Sequence, residues 1–160
     1  MSNIYLFDWG DTLMVDLPQQ TGKMCDWPMV KAVEGAQNTL QILSQRHEIY
    51  VATNAADSAE SDIKSAFERV GLAQFINGYF CKENLGISKG SAEFFNRIAA
   101  ELNLSVDQLI MVGDTLDKDI YPAIEAGANA IWFNPQQQAL SPNQTKNFQQ
   151  IHCLSQLTSA

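Results

Sequence analysis

The sequence predicts an α/β chain built in three layers: a doubly wound, Rossmann-like, mainly parallel sheet with helices on both faces. Three observations carry this. Short apolar runs alternate with longer stretches of helical periodicity. Three of those runs end directly on chemically capable residues, at Asp8, at Thr53-Asn54 and at Gly113-Asp114. The chain has 160 residues with 46% hydrophobic side chains, enough for one domain with a proper core.

The elements follow in order. Ile4-Tyr5-Leu6-Phe7 reads as a buried first strand, and Val30 to Gln45 as a helix with Val30, Val33, Ala36, Leu40 and Leu43 on one face. Ile49-Tyr50-Val51-Ala52 is a second strand. Ser58 to Val70 is a helix stopped by Gly71, and Tyr79-Phe80-Cys81 is a short third strand. Lys89 to Leu102 forms a helix with Phe94, Phe95, Ile98 and Leu102 on one side, followed by the strand Leu109–Val112. A helix over Lys118–Ala126 ends at Gly127, and Ala130–Phe133 closes a five-stranded sheet with Ile4–Phe7 in its middle. Residues 1–135 make up the core. Residues 136–160 add a Gln- and Asn-rich loop containing Pro142, over 136–150, and a short terminal element of the same domain.

Charge and cysteine content narrow the function. Acidic side chains number 18 against 10 basic ones, a formal net charge of -8, and such a surface repels phosphate backbones and anionic lipids. Neither a nucleic-acid nor a membrane partner is expected. Cys25, Cys81 and Cys153 are odd in number and have no metal-ligand spacing, which fits free thiols in a reducing compartment. With no signal-like leader and no long apolar run, a cytoplasmic protein is expected. His47 and His152 lie far from the strand ends and are expected to be structural.

In open α/β sheets, ligands bind beyond the carboxyl ends of the strands, so Asp8, Thr53 and Asp114 should converge on one rim. Crowded carboxylates need a cation or a proton, and hard oxygen donors suit Mg²⁺. Lys89 can reach the rim as a point charge on an anionic substrate, with Lys82 as its rival. A carboxylate, a metal, a hydroxyl and an ammonium together suit phosphoryl transfer through an aspartyl-phosphate.

The motifs that carry this chemistry resemble those of the haloacid dehalogenase (HAD) superfamily. Phe7-Asp8-Trp9-Gly10-Asp11-Thr12-Leu13 is similar to its first motif, Val51-Ala52-Thr53-Asn54 to its second and Ser88-Lys89-Gly90 to its third. The run Val112-Gly113-Asp114 through Asp119-Ile120 is similar to the fourth. The resemblance implies that Asp8 is the nucleophile and that Asp8, Asp114 and the Gly10 carbonyl hold Mg²⁺. It implies that Thr53, Asn54 and Lys89 bind the phosphoryl group of a phosphorylated substrate, and that Asp119 holds Lys89 or a metal-bound water. Asp117 falls outside the pattern and reads as a helix-start carboxylate. The segment Met14 to Met29 corresponds to the family's mobile flap, in which Trp27 either closes over substrate or packs in the core.

The intervals between motifs leave no room for a cap domain. Capless relatives act on large substrates or borrow a neighbouring subunit, so a homo-oligomer stays open. One departure matters. The family's phosphatases carry a general acid two residues after the nucleophile, where this chain has Gly10; Asp11, one position later, is a catalytic candidate that reaches the site only if the loop departs from the family norm. The sequence therefore predicts a preference for esters with activated leaving groups. Three functions are expected in descending order: a phosphomonoesterase, a catalytically weak binding or regulatory protein, and a C–P hydrolase.

Overall fold

A computed structural model describes residues 3–53, 58–140 and 148–158. Strands β1 (Ile4–Phe7), β2 (Ile49–Ala52), β3 (Gly78–Phe80), β4 (Leu109–Gly113), β5 (Asn129–Phe133) and β6 (Gln149–Ile151) form one sheet in the order β3-β2-β1-β4-β5-β6. Every pairing is parallel, with Phe7 level with both Val51 and Val112. Chain order reverses across β1, so the gap beyond the ends of β1 and β4 is the topological switch point at which such sheets bind ligands.

Helices α1 (Ala36–Leu43), α2 (Glu60–Arg69), α3 (Lys82–Leu85), α4 (Ala92–Glu101) and α5 (Tyr121–Ala126) cover the sheet. Alternation along β1 divides the core. Tyr5 and Phe7 pack with Leu40, Ile63 and Phe67 on one face, and Ile4 and Leu6 with Phe94, Ile98 and Ala123 on the other. Between β1 and β2, and between β2 and Lys89, the described residues form short helices, α1 to α3, two 3-10 turns and β3. No cap domain is inserted there. No helix among the described residues is long and apolar enough to cross a membrane.

Four expectations are corrected. The sheet has six strands, because Gln149-Gln150-Ile151, assigned to loop and terminal element, pairs with β5 and sends Ile151 into the core. Residues 141–147 of that loop, including Pro142, lie outside the described residues. The first helix starts at Ala36 rather than at Val30. The β-branched Val30 and Val33 belong to an extended stretch that pairs with the chain after β1, through Val15 N–H to Lys31 O (2.8 Å) and Val33 N–H to Leu13 O (2.8 Å). Gly35, at φ +83°, then turns the chain into α1. Lys89 precedes its helix instead of opening it, since Gly90 at φ +118° and the extended Ser91 intervene. Finally, Lys118–Ala126 is not one helix: a π-helical turn over Leu116–Ile120 leads into α5, with Pro122 in its first turn.

Candidate active site

Asp8 directly follows β1, and its backbone N–H donates to Val112 O at 3.0 Å, which fixes it beside the end of β4. Its two carboxylate oxygens face different partners. Oδ1 accepts from Lys89 Nζ at 2.6 Å. Oδ2 lies 3.5 Å from Thr12 Oγ1, which is also 3.4 Å from Asp114 Oδ1. Thr12 is fully buried, so its one proton serves either of two carboxylates.

Lys89 is the buried cation of the site. Its side chain is 3% exposed, and Nζ also contacts Asp119 Oδ1 (2.7 Å) and the Ala52 carbonyl (3.1 Å). Lys82, its rival in the sequence, is exposed at the start of α3. Asp119 projects back from the π-helical turn, its Oδ2 accepting the Thr115 N–H at 3.1 Å. That approach requires Gly113, because a Cβ there would overlap the Asp119 carboxyl group. Asp114 is steadied by the Thr115 hydroxyl at 3.4 Å and by Trp132, whose Nε1 donates to its carbonyl at 3.0 Å.

Thr53 is buried at the end of β2, its N–H on Phe80 O (3.0 Å), and it lines the cleft with Asp8, Gly10, Lys89 and Asp114. Asn54 lies outside the described residues. Asp11 adopts φ +60°, and its Oδ1 accepts the Asp16 N–H at 3.0 Å. Asp117 is exposed. Trp27 is 6% exposed and packed in the core, donating to the Thr21 and Gly22 carbonyls, so the packing alternative holds. Its segment is fastened to α2 by Lys23–Asp62 (3.0 Å) and by Arg69 on the Trp27 carbonyl (2.6 Å). His47 faces the Asn3 carbonyl, and His152 faces the Asn134 carbonyl and lines the larger cavity described below.

Sequence reasoning assigned no role to Thr12, Thr115 or Trp132. Thr12 and Thr115 have a visible signal, their places in the first and fourth motifs; Trp132 has none. Lys118 and Asp16 also line the cleft, a cavity of about 260 Å³, and a larger one of about 760 Å³ adjoins it, sharing Asp11 and Asp114.

The electrostatics are those of crowded carboxylates. Oxygens of Asp8, Asp114 and Asp119 lie within 4.8 Å of one another. Burial, followed by the hydrogen bond and charge of Asp8 and the charge of Asp119, pushes Asp114 up to about 8. Burial and the Asp8 charge raise Asp119 to about 6, against the opposing pull of Lys89 and the Thr115 N–H. For Lys89, burial alone would lower the pKa; Asp8 and Asp119 outweigh it and raise it.

These shifts give a prediction. Both acids keep protons in the fold at pH values where the unfolded chain has lost them. The metal-free protein therefore loses stability as pH rises from about 4 to about 8, the window between unfolded and folded values. Thermal melts in a chelator should show the decline. Asp114→Asn should flatten it between pH 6 and 8, and an unchanged slope would refute the assignment.

The family model for haloacid dehalogenase-like hydrolases matches residues 10–127, and the chain belongs to that family. Pyrimidine 5′-nucleotidase PynA of Streptococcus pneumoniae is 30% identical over 107 residues, 66% of this chain and 44% of that protein. Ribulose-1,5-bisphosphate 5-phosphatase of Halopiger xanaduensis is 27% identical over 108 residues, 67% of this chain and 44% of that one. The chain thus spans less than half the length of these curated relatives. An uncharacterized protein from Listeria monocytogenes shares the fold at a TM-score of 0.84 and 20% identity, covering 97% of this chain and 94% of that one. The magnesium-bound structure of YfnB from Bacillus subtilis superposes at 0.77 with 18% identity, over 98% and 96% of the two chains.

Proposed function

We propose that this chain is a phosphomonoesterase that works through an aspartyl-phosphate on Asp8. The carrying observation is the division of the Asp8 carboxylate, one oxygen on a buried ammonium and the other turned toward a second carboxylate. Lys89 aims the Asp8 carboxylate through their ion pair, and Asp119 in turn holds Lys89. Thr53 donates to the phosphoryl group, for which the cleft of about 260 Å³ that it lines has room. Relatives named as phosphatases and nucleotidases support the same reaction class.

The donor set fits Mg²⁺: hard oxygens from Asp8 and Asp114, close enough that Asp114 resists ionising without a cation. Asp8, Asp114 and the Gly10 carbonyl are the residues that would hold it. When bound, the ion supplies positive charge that offsets the charge of the phosphoryl oxygens. Mg²⁺ binding should release protons below pH 8 and tighten as pH rises. Asp114→Asn is expected to weaken Mg²⁺ binding by an order of magnitude or more while raising the melting temperature of the metal-free protein at pH 8. Unchanged affinity by calorimetry would refute the ligand assignment.

Hydrolysis of p-nitrophenyl phosphate with Mg²⁺ is the direct test of function. Mg²⁺ binding without turnover would favour the alternative of a binding or regulatory protein, motivated by Gly10. A C–P hydrolase is disfavoured, because the Schiff-base lysine of that chemistry comes from a cap domain and none is inserted among the described residues.

A further inference from the structure

Gly10 occupies the position from which the family's phosphatases deliver a proton, yet the space it vacates has an acidic neighbour. A Cβ built on Gly10 would meet one atom within 4 Å, the Cβ of Asp16 at 3.8 Å. Asp16 lines the same cleft as Asp8, Thr53 and Lys89. It gets there by a local device. Asp11 at φ +60° reverses the chain, its N–H bonding Met14 O at 2.6 Å, and its carboxylate then accepts the Asp16 N–H. The neighbouring Val15 N–H is pinned to Lys31 O at 2.8 Å. One carboxylate oxygen of Asp11, which also lines the cleft, is thereby engaged in holding the turn. Among the described residues, no hydrogen bond or ion pair engages the Asp16 carboxylate; the residue is exposed and lines the cleft.

We infer that Asp16 is the general acid and base of the reaction, replacing the side chain that Gly10 lacks. The inference rests on the phosphomonoesterase reading. In the first step an Asp8 oxygen bonds to phosphorus as the bond from phosphorus to the leaving-group oxygen breaks, and that oxygen takes the proton of the Asp16 carboxylic acid. In the second, the Asp16 carboxylate removes a proton from water as the water oxygen bonds to phosphorus. The Asp8–phosphorus bond breaks, inorganic phosphate leaves, and Asp8 is again ionised and Asp16 protonated. The restriction to activated esters expected from positions 10 and 11 is then lifted, and alkyl phosphates become substrates.

The test is leaving-group dependence. kcat/KM reports the first step, so it should be measured for p-nitrophenyl phosphate and for a series of alkyl phosphates. Asp16→Asn should lower kcat/KM on alkyl phosphates by about 10²- to 10⁴-fold and on p-nitrophenyl phosphate far less, because a good leaving group departs without a proton. Adding Gly10→Asp to that variant should restore alkyl phosphate hydrolysis, a rescue that a merely structural Asp16 would not allow. Equal losses on all esters, or no loss on alkyl phosphates, would overturn the role of Asp16 and leave the phosphatase reading standing. A wild-type protein that turns over none of these esters would overturn the phosphatase reading and the inference together.

Discussion

Replacing Asp8 by Asn is expected to remove hydrolysis while leaving the fold intact. The amide keeps the shape of the carboxyl group but is no nucleophile, so kcat should fall on the order of 10⁴- to 10⁶-fold, the scale seen when a covalent nucleophile is lost. Stability should not suffer. Lys89 loses its 2.6 Å partner but keeps Asp119 at 2.7 Å, and both Asp114 and Asp119 are relieved of the Asp8 charge that raises their pKa values. Turnover assays paired with thermal melts check both halves. Beryllium fluoride with Mg²⁺ should give an adduct on Asp8 in the wild type; density on another side chain would move the nucleophile.

Lys89→Met should have the largest effect on stability. Methionine fills much of the space of the lysine stem but strands Asp119, which is 1% exposed, beside Asp8 with no cation. Breaking a buried ion pair from one side costs about 3–5 kcal/mol, or a fall of roughly 10 °C in melting temperature for a domain of this size. The sign of the pH dependence is also set. Asp119 already titrates near 6 with the lysine present, and without it more of the acid is protonated. The deficit relative to wild type should therefore be greatest at alkaline pH and should shrink as pH falls and Asp119 becomes neutral. Melts at pH 5 and pH 8 measure this, and a deficit that grew on acidification would contradict the triad.

The parts of the molecule legible in the sequence were those governed by simple rules. Strands buried on both faces must be apolar runs, so Ile4–Phe7, Ile49–Ala52 and Leu109–Val112 declared themselves, and the residues at their ends marked the rim. β6 escaped because it is an edge strand with one buried residue, Ile151, behind two exposed glutamines. The first helix is shorter than its periodicity implies because Val30 and Val33 satisfy a helical period while the backbone of Lys31, Ala32 and Val33 pairs with Leu13–Val15. Asp16 was invisible because its place in the cleft comes from a reversal at Asp11, a positive φ at a non-glycine residue that spacing does not reveal. The room that Gly113 leaves for Asp119 was likewise a matter of close approach rather than of pattern.

The contacts that hold the site together are separated widely along the chain. Lys89 and Asp8 are 81 residues apart, and Thr12 and Asp114 are 102. In kinetic terms the centre has no local precursor. A partly folded chain carries its carboxylates as independent, ordinary acids, and they are driven together only when β4 docks beside β1 and closes the sheet around the switch point. Of the proposed Mg²⁺ ligands, Asp8 and Gly10 are neighbours in the chain, but Asp114 joins them only across the β1–β4 pairing. A cation held by that full set would reward completed folding rather than start it, unlike the ion of a small zinc module whose fold condenses around it.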